Sequence, residues 1–195
     1  MSQEPSYGEV LLTRTVFRIC GKSVYKSFAD RLPLAGGEAV LDFGCGMGTV
    51  AYYAARRLPR GSLTCVDISG RWLAACRKTL RRHANVSFWL GELDEFPLPG
   101  GCFDLVYCHL VLHDIPCGNL QRIVPALAGR LKAGGRLVLR EPLEEAHKIR
   151  WIHALMLESG LCQQSSVITD IPIMGNVLEN TYGKELLKSE RGTLR

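Results

Sequence analysis

The segment Val40-Leu41-Asp42-Phe43-Gly44-Cys45-Gly46-Met47-Gly48 constrains this chain more than any other. A short apolar run, Ala39–Phe43, leads into three glycines at alternate positions, and a helix-like stretch, Thr49–Leu58, follows. The run reads as a buried strand, and glycines after it permit positive φ and close approach of a ligand to the backbone. In an open parallel sheet this first turn is where ligands bind. The spacing is G-x-G-x-G and not the G-x-G-x-x-G of a dinucleotide fingerprint, and no G-x-x-x-x-G-K-[ST] occurs, which excludes a P-loop. Asp42 precedes the glycines, and a carboxylate at the mouth of the turn would repel a pyrophosphate and suit a ligand that is cationic there. Asp67 ends the next apolar run, where an acid can take both hydroxyls of a ribose. It could equally serve the start of the following helix beside Ser69.

Alternation continues along the chain. Leu63–Val66, Val86–Leu90, Phe103–Cys108 and Arg136–Arg140 read as further strands, separated by helical patterns. Ser69 is placed to cap a helix running through His83, with Trp72, Leu73, Cys76 and Leu80 on its inner face. Leu120, Ile123, Val124, Leu127 and Leu131 recur at helical spacing, and Pro125 predicts a kink or a later start there. A helix over Glu144–Ser159 ends at Gly160, a natural C-cap. Extended pieces near Cys162–Thr169 and Asn176–Tyr182 complete the pattern. The expected architecture is α/β, a mainly parallel sheet covered on both faces. One domain spans residues 1–195: a helical cap over 1–35, built from Val10–Ile19 and Val24–Leu32, a core over 36–183 and a charged tail over 184–195.

Composition fits one soluble core of 195 residues. The start lacks the basic stretch and apolar run of a secretion signal, and no apolar run could span a bilayer, so a cytoplasmic protein without membrane attachment is expected. Eight cysteines form no C-x-x-C pair, which argues against zinc knuckles and thioredoxin chemistry and for reduced, mostly buried thiols. The formal charge is +5, with a cluster at Arg71, Arg77, Lys78, Arg81, Arg82 and His83. It reads first as a solvated helix face, because no aromatic residues are interleaved as stacking platforms, with a nucleic-acid footprint as the alternative.

The glycine segment resembles motif I of the class I S-adenosylmethionine (SAM)-dependent methyltransferases. Cys65-Val66-Asp67-Ile68-Ser69 resembles their second motif, Gly91-Glu92-Leu93 stands where they carry Gly-Asp-Ala, and Phe96-Pro97-Leu98-Pro99 resembles the loop that follows. Phe103-Asp104-Leu105-Val106 through Leu112-His113-Asp114-Ile115-Pro116 is similar to the fourth-strand motif, and Leu131 to Leu139 to the element around strand five. The similarity runs from about Glu38 to Tyr182 and is nearest in flavour to small-molecule enzymes such as those of quinone biosynthesis. It implies a Rossmann-like seven-stranded sheet of order 3-2-1-4-5-7-6 with strand seven antiparallel. It also implies SAM as cofactor, S-adenosylhomocysteine as product, and no metal. Carried over by position, Asp42, Gly44, Cys45 and Gly46 would hold the methionine portion, Asp67 the ribose, and Ile68 and Leu93 the adenine ring. Glu92 would meet the adenine amino group, and Cys108 would line the methionine end.

Methyl transfer needs alignment and exclusion of water, and a base only if the acceptor must lose a proton. His113 is the candidate base, with a structural histidine as the alternative reading. His109 and Tyr25 are candidate contacts for the acceptor. The acceptor expected is a small organic molecule. A nucleic-acid or protein methyltransferase, or a SAM-binding protein without transfer, are the alternatives. No Asn-Pro-Pro-Tyr follows strand four, and no acidic metal triad is visible, which disfavours adenine-N6 and magnesium-catechol chemistry.

Overall fold

Seven strands form one sheet in the order β3-β2-β1-β4-β5-β7-β6. The computed structural model describes residues 4–95, 99–171 and 175–185, with the backbone alone at 20–23. The strands are β1 Ala39–Phe43, β2 Ser62–Asp67, β3 Val86–Leu90, β4 Phe103–His109, β5 Leu131–Pro142, β6 Leu161–Ile171 and β7 Gly175–Lys184. β1 to β5 pair in parallel, and β7 runs antiparallel to both β5 and β6. This is the order and direction that the resemblance implies. The Phe96–Leu98 part of the expected loop motif and the tail beyond residue 185 lie outside the described residues.

The helices are α1 Tyr7–Gly21, α2 Ser27–Arg31, α3 Thr49–Ala55, α4 Gly70–Thr79, α5 Cys117–Arg130 and α6 Ala146–Glu158. Side-chain alternation along the strands sorts the apolar residues onto two faces. Val40, Cys65, Leu105 and Tyr107 pack with α2, α3 and α4 on one face. Leu41, Phe43, Val66, Val106 and Cys108 pack with α5 and α6 on the other. Burying the central strands on both faces explains why they read as continuous apolar runs.

Local chemistry sets the helix ends. Ser69 caps α4, its side chain accepting from the Trp72 amide. Gly160 follows α6 at φ +77°, in the left-handed conformation that ends a helix. α5 departs from expectation by starting earlier, at Cys117, and running through Pro125. Pro125 and Gln121 are both exposed, so the carbonyl that loses its amide partner is left to water. β5 also begins earlier, at Leu131 opposite Phe103, across a register shift before Leu105 pairs Arg136. The first helix is longer than expected and passes through a π-helical turn at Lys22–Lys26 into α2. Among the described residues no helix is long and apolar enough to cross a membrane.

Candidate functional site

The turn after β1 is held by its own backbone. The Gly44 and Cys45 amides donate to the Val66 carbonyl at 2.9 and 3.1 Å, and the Gly48 amide donates to the Cys45 carbonyl at 2.9 Å. The Gly46 amide donates to Asp67 Oδ2 at 2.8 Å, while Asp67 Oδ1 accepts from the Ser69 amide at 2.9 Å. One carboxylate at the end of β2 therefore ties the turn to the start of α4. Burial pushes that carboxyl above the usual range, against the pull of the Ser69 and Gly46 amides.

The three glycines take φ of +71°, +52° and +77°. A Cβ would stand 2.5 Å from Val111 at Gly44 and 2.7 Å from the Cys76 sulfur at Gly48. Gly46 differs, because nothing lies within 4 Å of its Cβ position. The turn is thus packed from behind and open at its middle glycine. With four of its amides used internally, it has few donors left for a pyrophosphate, which binds through such groups.

Asp42 corrects the electrostatic argument. It is 3% exposed and accepts a hydrogen bond from the Tyr107 hydroxyl at 2.8 Å. In register with Cys65 and Tyr107, it shares the face of Val40 and points into the first core cluster, not the mouth of the turn. Burial pushes its carboxyl upward against the Tyr107 hydrogen bond, and the side chain faces the core and not the ligand side of the turn. The internal use of the amides, not Asp42, disfavours a dinucleotide.

Cys45 is likewise turned inward. Its sulfur and those of Cys65 and Cys76 lie within 4.8 Å of one another, all buried beneath the turn. Hydrogen bonding to Cys45 and Cys65 holds the Cys76 thiol well below its ordinary range. Among the described residues this is the one set of side chains close enough to hold a metal ion, and it would offer sulfur alone. Of the described cysteines Cys45, Cys65, Cys76 and Cys108 are buried, Cys102 is half-buried, and Cys117 and Cys162 are exposed.

Of the residues expected to meet the adenosine, Ile68 is 53% exposed beside Asp67. Glu92 is exposed and pairs with Arg122 at 2.6 Å. Leu93 and Cys108 are both buried in the second core cluster, so they support the cleft and do not line it. At the same edge, Glu4 accepts from the Ser69 hydroxyl at 2.7 Å and the Gly70 amide at 3.0 Å, docking the chain's start against α4.

The acceptor candidates separate onto opposite faces. Tyr25 and His109 meet with ring centroids 5.7 Å apart, and Phe28 stands 5.0 Å from His109. Burial, helped by Arg140, pushes the His109 imidazole down to about 3, so it is neutral, and its Nε2 is buried without a hydrogen-bond partner. His113 lies away from this aromatic group. Its Nδ1 is 2.6 Å from Glu141 Oε2, and its Nε2 is 3.4 Å from Asp114. Glu141, at the end of β5, is fully buried and also accepts from the Val111, Leu112 and His113 amides. Sequence reading missed Glu141, although an acid closing an apolar strand is the same signal that Asp67 gave.

Burial alone would lower the His113 imidazole, but Glu141 outweighs it and the net shift is upward. A histidine raised in the folded state stabilises fully below its unfolded value of about 6.5 and loses that contribution as pH rises through the folded value. The stability gap between wild type and His113→Gln is therefore expected to shrink from pH 6 to pH 9 in thermal melts. A gap that stays constant would remove the ion pair as its source.

A methyltransferase-domain family matches residues 40–135. The ribosomal protein L11 methyltransferase of Cupriavidus taiwanensis is 38% identical over 112 residues, 57% of this chain and 34% of that protein. The demethylmenaquinone methyltransferase of Tropheryma whipplei (strain Twist) is 30% identical over 141 residues, 72% of this chain and 57% of that protein. The chain thus spans about a third to just over half of these curated relatives. A SAM-dependent methyltransferase structure from Aquifex aeolicus superposes with a TM-score of 0.74 at 15% identity, over 92% of this chain and 99% of that one. Residues 40–135 thus match a methyltransferase-domain family, and the seven-stranded sheet that carries them has the fold of a solved SAM-dependent methyltransferase.

Proposed function

We propose that this chain transfers a methyl group from SAM to a small organic acceptor. The observation that carries the reading is the Gly46–Asp67 lock, with open space over Gly46 and exposed Ile68 beside it. A carboxylate has about four acceptor positions, so two amides leave Asp67 able to take ribose hydroxyls. Gly44 and Gly46 would border the methionine portion, Ile68 the adenine, and Glu92 its amino group. When bound, SAM supplies an electrophilic methyl group on its sulfonium.

The chain's own part is to position and to exclude water. Tyr25, Phe28 and His109 form an aromatic wall under α2 at the end of β4, suited to a flat or apolar acceptor. Neutral His109 offers its unpaired Nε2 as the polar group that fixes acceptor orientation. If the acceptor must lose a proton, its reacting end would have to extend past this wall to the other side of β4, where His113 would be the base, Glu141 holding its Nδ1 and leaving Nε2 to accept. The helical segment 1–35 would cover the cleft, since Glu4 already rests on α4 beside Asp67.

Calorimetric titration with S-adenosylhomocysteine tests the cofactor reading, with micromolar binding expected. No binding to well-folded protein at millimolar ligand would defeat it. Transfer of labelled methyl from SAM to panels of phenols, quinols, small acids and a recombinant L11-type protein then separates acceptor classes. Label appearing on protein alone would overturn the small-molecule reading.

A further inference from the structure

A cavity of about 460 Å³ opens at the far end of α4, lined by Tyr52, Arg56, Lys78, Arg81, Arg82 and His83. No acidic residue lines it. Elsewhere some surface cations are matched, Lys26 with Asp30, Arg31 with Glu179, Arg122 with Glu92 and Lys132 with Asp104, and the unmatched ones such as Arg14, Arg60, Arg136 and Arg150 line no shared cavity with one another. Among the described residues Arg56, Lys78, Arg81 and Arg82 have no carboxylate partner. In a chain of formal charge +5, four unmatched cations thus face one concavity.

Helix-end electrostatics accounts for only part of this. Lys78 lies in the last turn of α4 and Arg56 at the C-cap of α3, where cations complement the dipole. Arg81 and Arg82 lie beyond α4 and serve no such end. The wall behind them is aromatic: the Tyr52 and His83 rings meet edge to face at 5.5 Å, and the Arg56 guanidinium stands 5.7 Å from the Tyr52 ring centre. His83 Nδ1 is buried there without a hydrogen-bond partner. The ring that the local sequence lacked comes from α3, across the fold.

We propose that this cavity binds a ligand carrying adjacent phosphates, either the diphosphate of a free nucleotide or consecutive phosphates of a single RNA strand. A concave site of one charge sign concentrates counter-charge, and four cations match more than one phosphate. The volume lies within the range of small-ligand sites. α4 has ten residues, so the cavity stands about 15 Å from the Asp67–Ser69 end of that helix, while Tyr52 on its wall lies one helical turn beyond Gly48. It is a second site, at the opposite end of α4 from Asp67.

The test uses the whole chain. Fluorescence anisotropy follows a labelled single-stranded RNA of about twelve nucleotides, and calorimetry follows ADP and pyrophosphate, at low and moderate salt. Binding is expected to weaken about tenfold or more in Arg81→Gln/Arg82→Gln, with a shallower salt dependence. Arg14→Gln/Arg18→Gln removes the same charge from the exposed face of α1 and is expected to change affinity less than twofold. S-adenosylhomocysteine titrations on the same preparations are expected to be unchanged in both variants. Binding of RNA alone assigns the site to a strand, and binding of ADP or pyrophosphate assigns it to a free nucleotide. No binding of any probe at millimolar concentration, or an equal loss in the α1 control, overturns the proposal and leaves the cofactor reading intact.

Discussion

Asp67→Ala is expected to weaken S-adenosylhomocysteine binding by about a hundredfold or more while leaving the sheet folded. The carboxylate does two tasks at once, because it locks the Gly46 and Ser69 amides and stands where a ribose would lie. Loss of the lock weakens the fold in the free and bound states alike, so the loss of affinity is that of the ribose contacts: a hydrogen bond to a charged group is worth about 1.5–3 kcal/mol, and a hundredfold in affinity is about 2.7 kcal/mol. One or two ribose hydroxyls on the carboxylate therefore reach the expected size. Asn is not expected to rescue it. The two amides bond to different oxygens of Asp67, and Asn would turn one of those oxygens into a donor. Calorimetry with a parallel thermal melt is the measurement; Asp67→Ala binding within threefold of wild type, with an intact melt, would sink the assignment.

Much of the fold was legible because local signals agreed. β1 and β3 fall on Ala39–Phe43 and Val86–Leu90, as their apolar runs predict, and Ser69 caps α4 as its position before an apolar stripe suggests. The order of the strands was not legible from periodicity and came from resemblance. Within the site, the glycines and Asp67 could be read because backbone geometry demands those residue types at the switch point. Asp42 was misread, although alternation contains the correction: it is two residues from Val40 and so shares that residue's buried face.

Two further features depend on pairings that no local window contains. Tyr52 and His83 are far apart in sequence, so the aromatic wall of the basic cavity exists only after α3 packs beside α4. Glu141 reaches the loop after β4 because β4 and β5 are neighbours, with His109 opposite Arg140 in register. The same register splits the acceptor candidates. His109 and Arg140 turn to the α2 face, while Glu141 turns to the opposite side and meets His113. A list of histidines near strand four could not distinguish these faces.

Glu141→Ala is expected to destabilise the fold by about 3 kcal/mol or more, because it strands several buried donors together. Glu141→Gln is the more informative variant. Its single amide oxygen can still serve the Val111 and Leu112 amides, so most of the stability is expected to return. Its NH₂ group then faces His113 Nδ1, which favours the tautomer with the proton on Nε2, and such an imidazole cannot accept a proton there. Turnover with a proton-losing acceptor is accordingly expected to fall by about a hundredfold or more, within the range general-base catalysis contributes. The pH profile adds a readout that a purely structural role would not move. A base acts when neutral, so activity rises with pH through the His113 value, which Glu141 holds above its ordinary 6.5. Without that carboxylate the acidic limb is expected to shift to lower pH as the maximum falls. Glu141→Gln with wild-type turnover and an unmoved limb would return Glu141 to a loop clamp and His113 to a packed side chain.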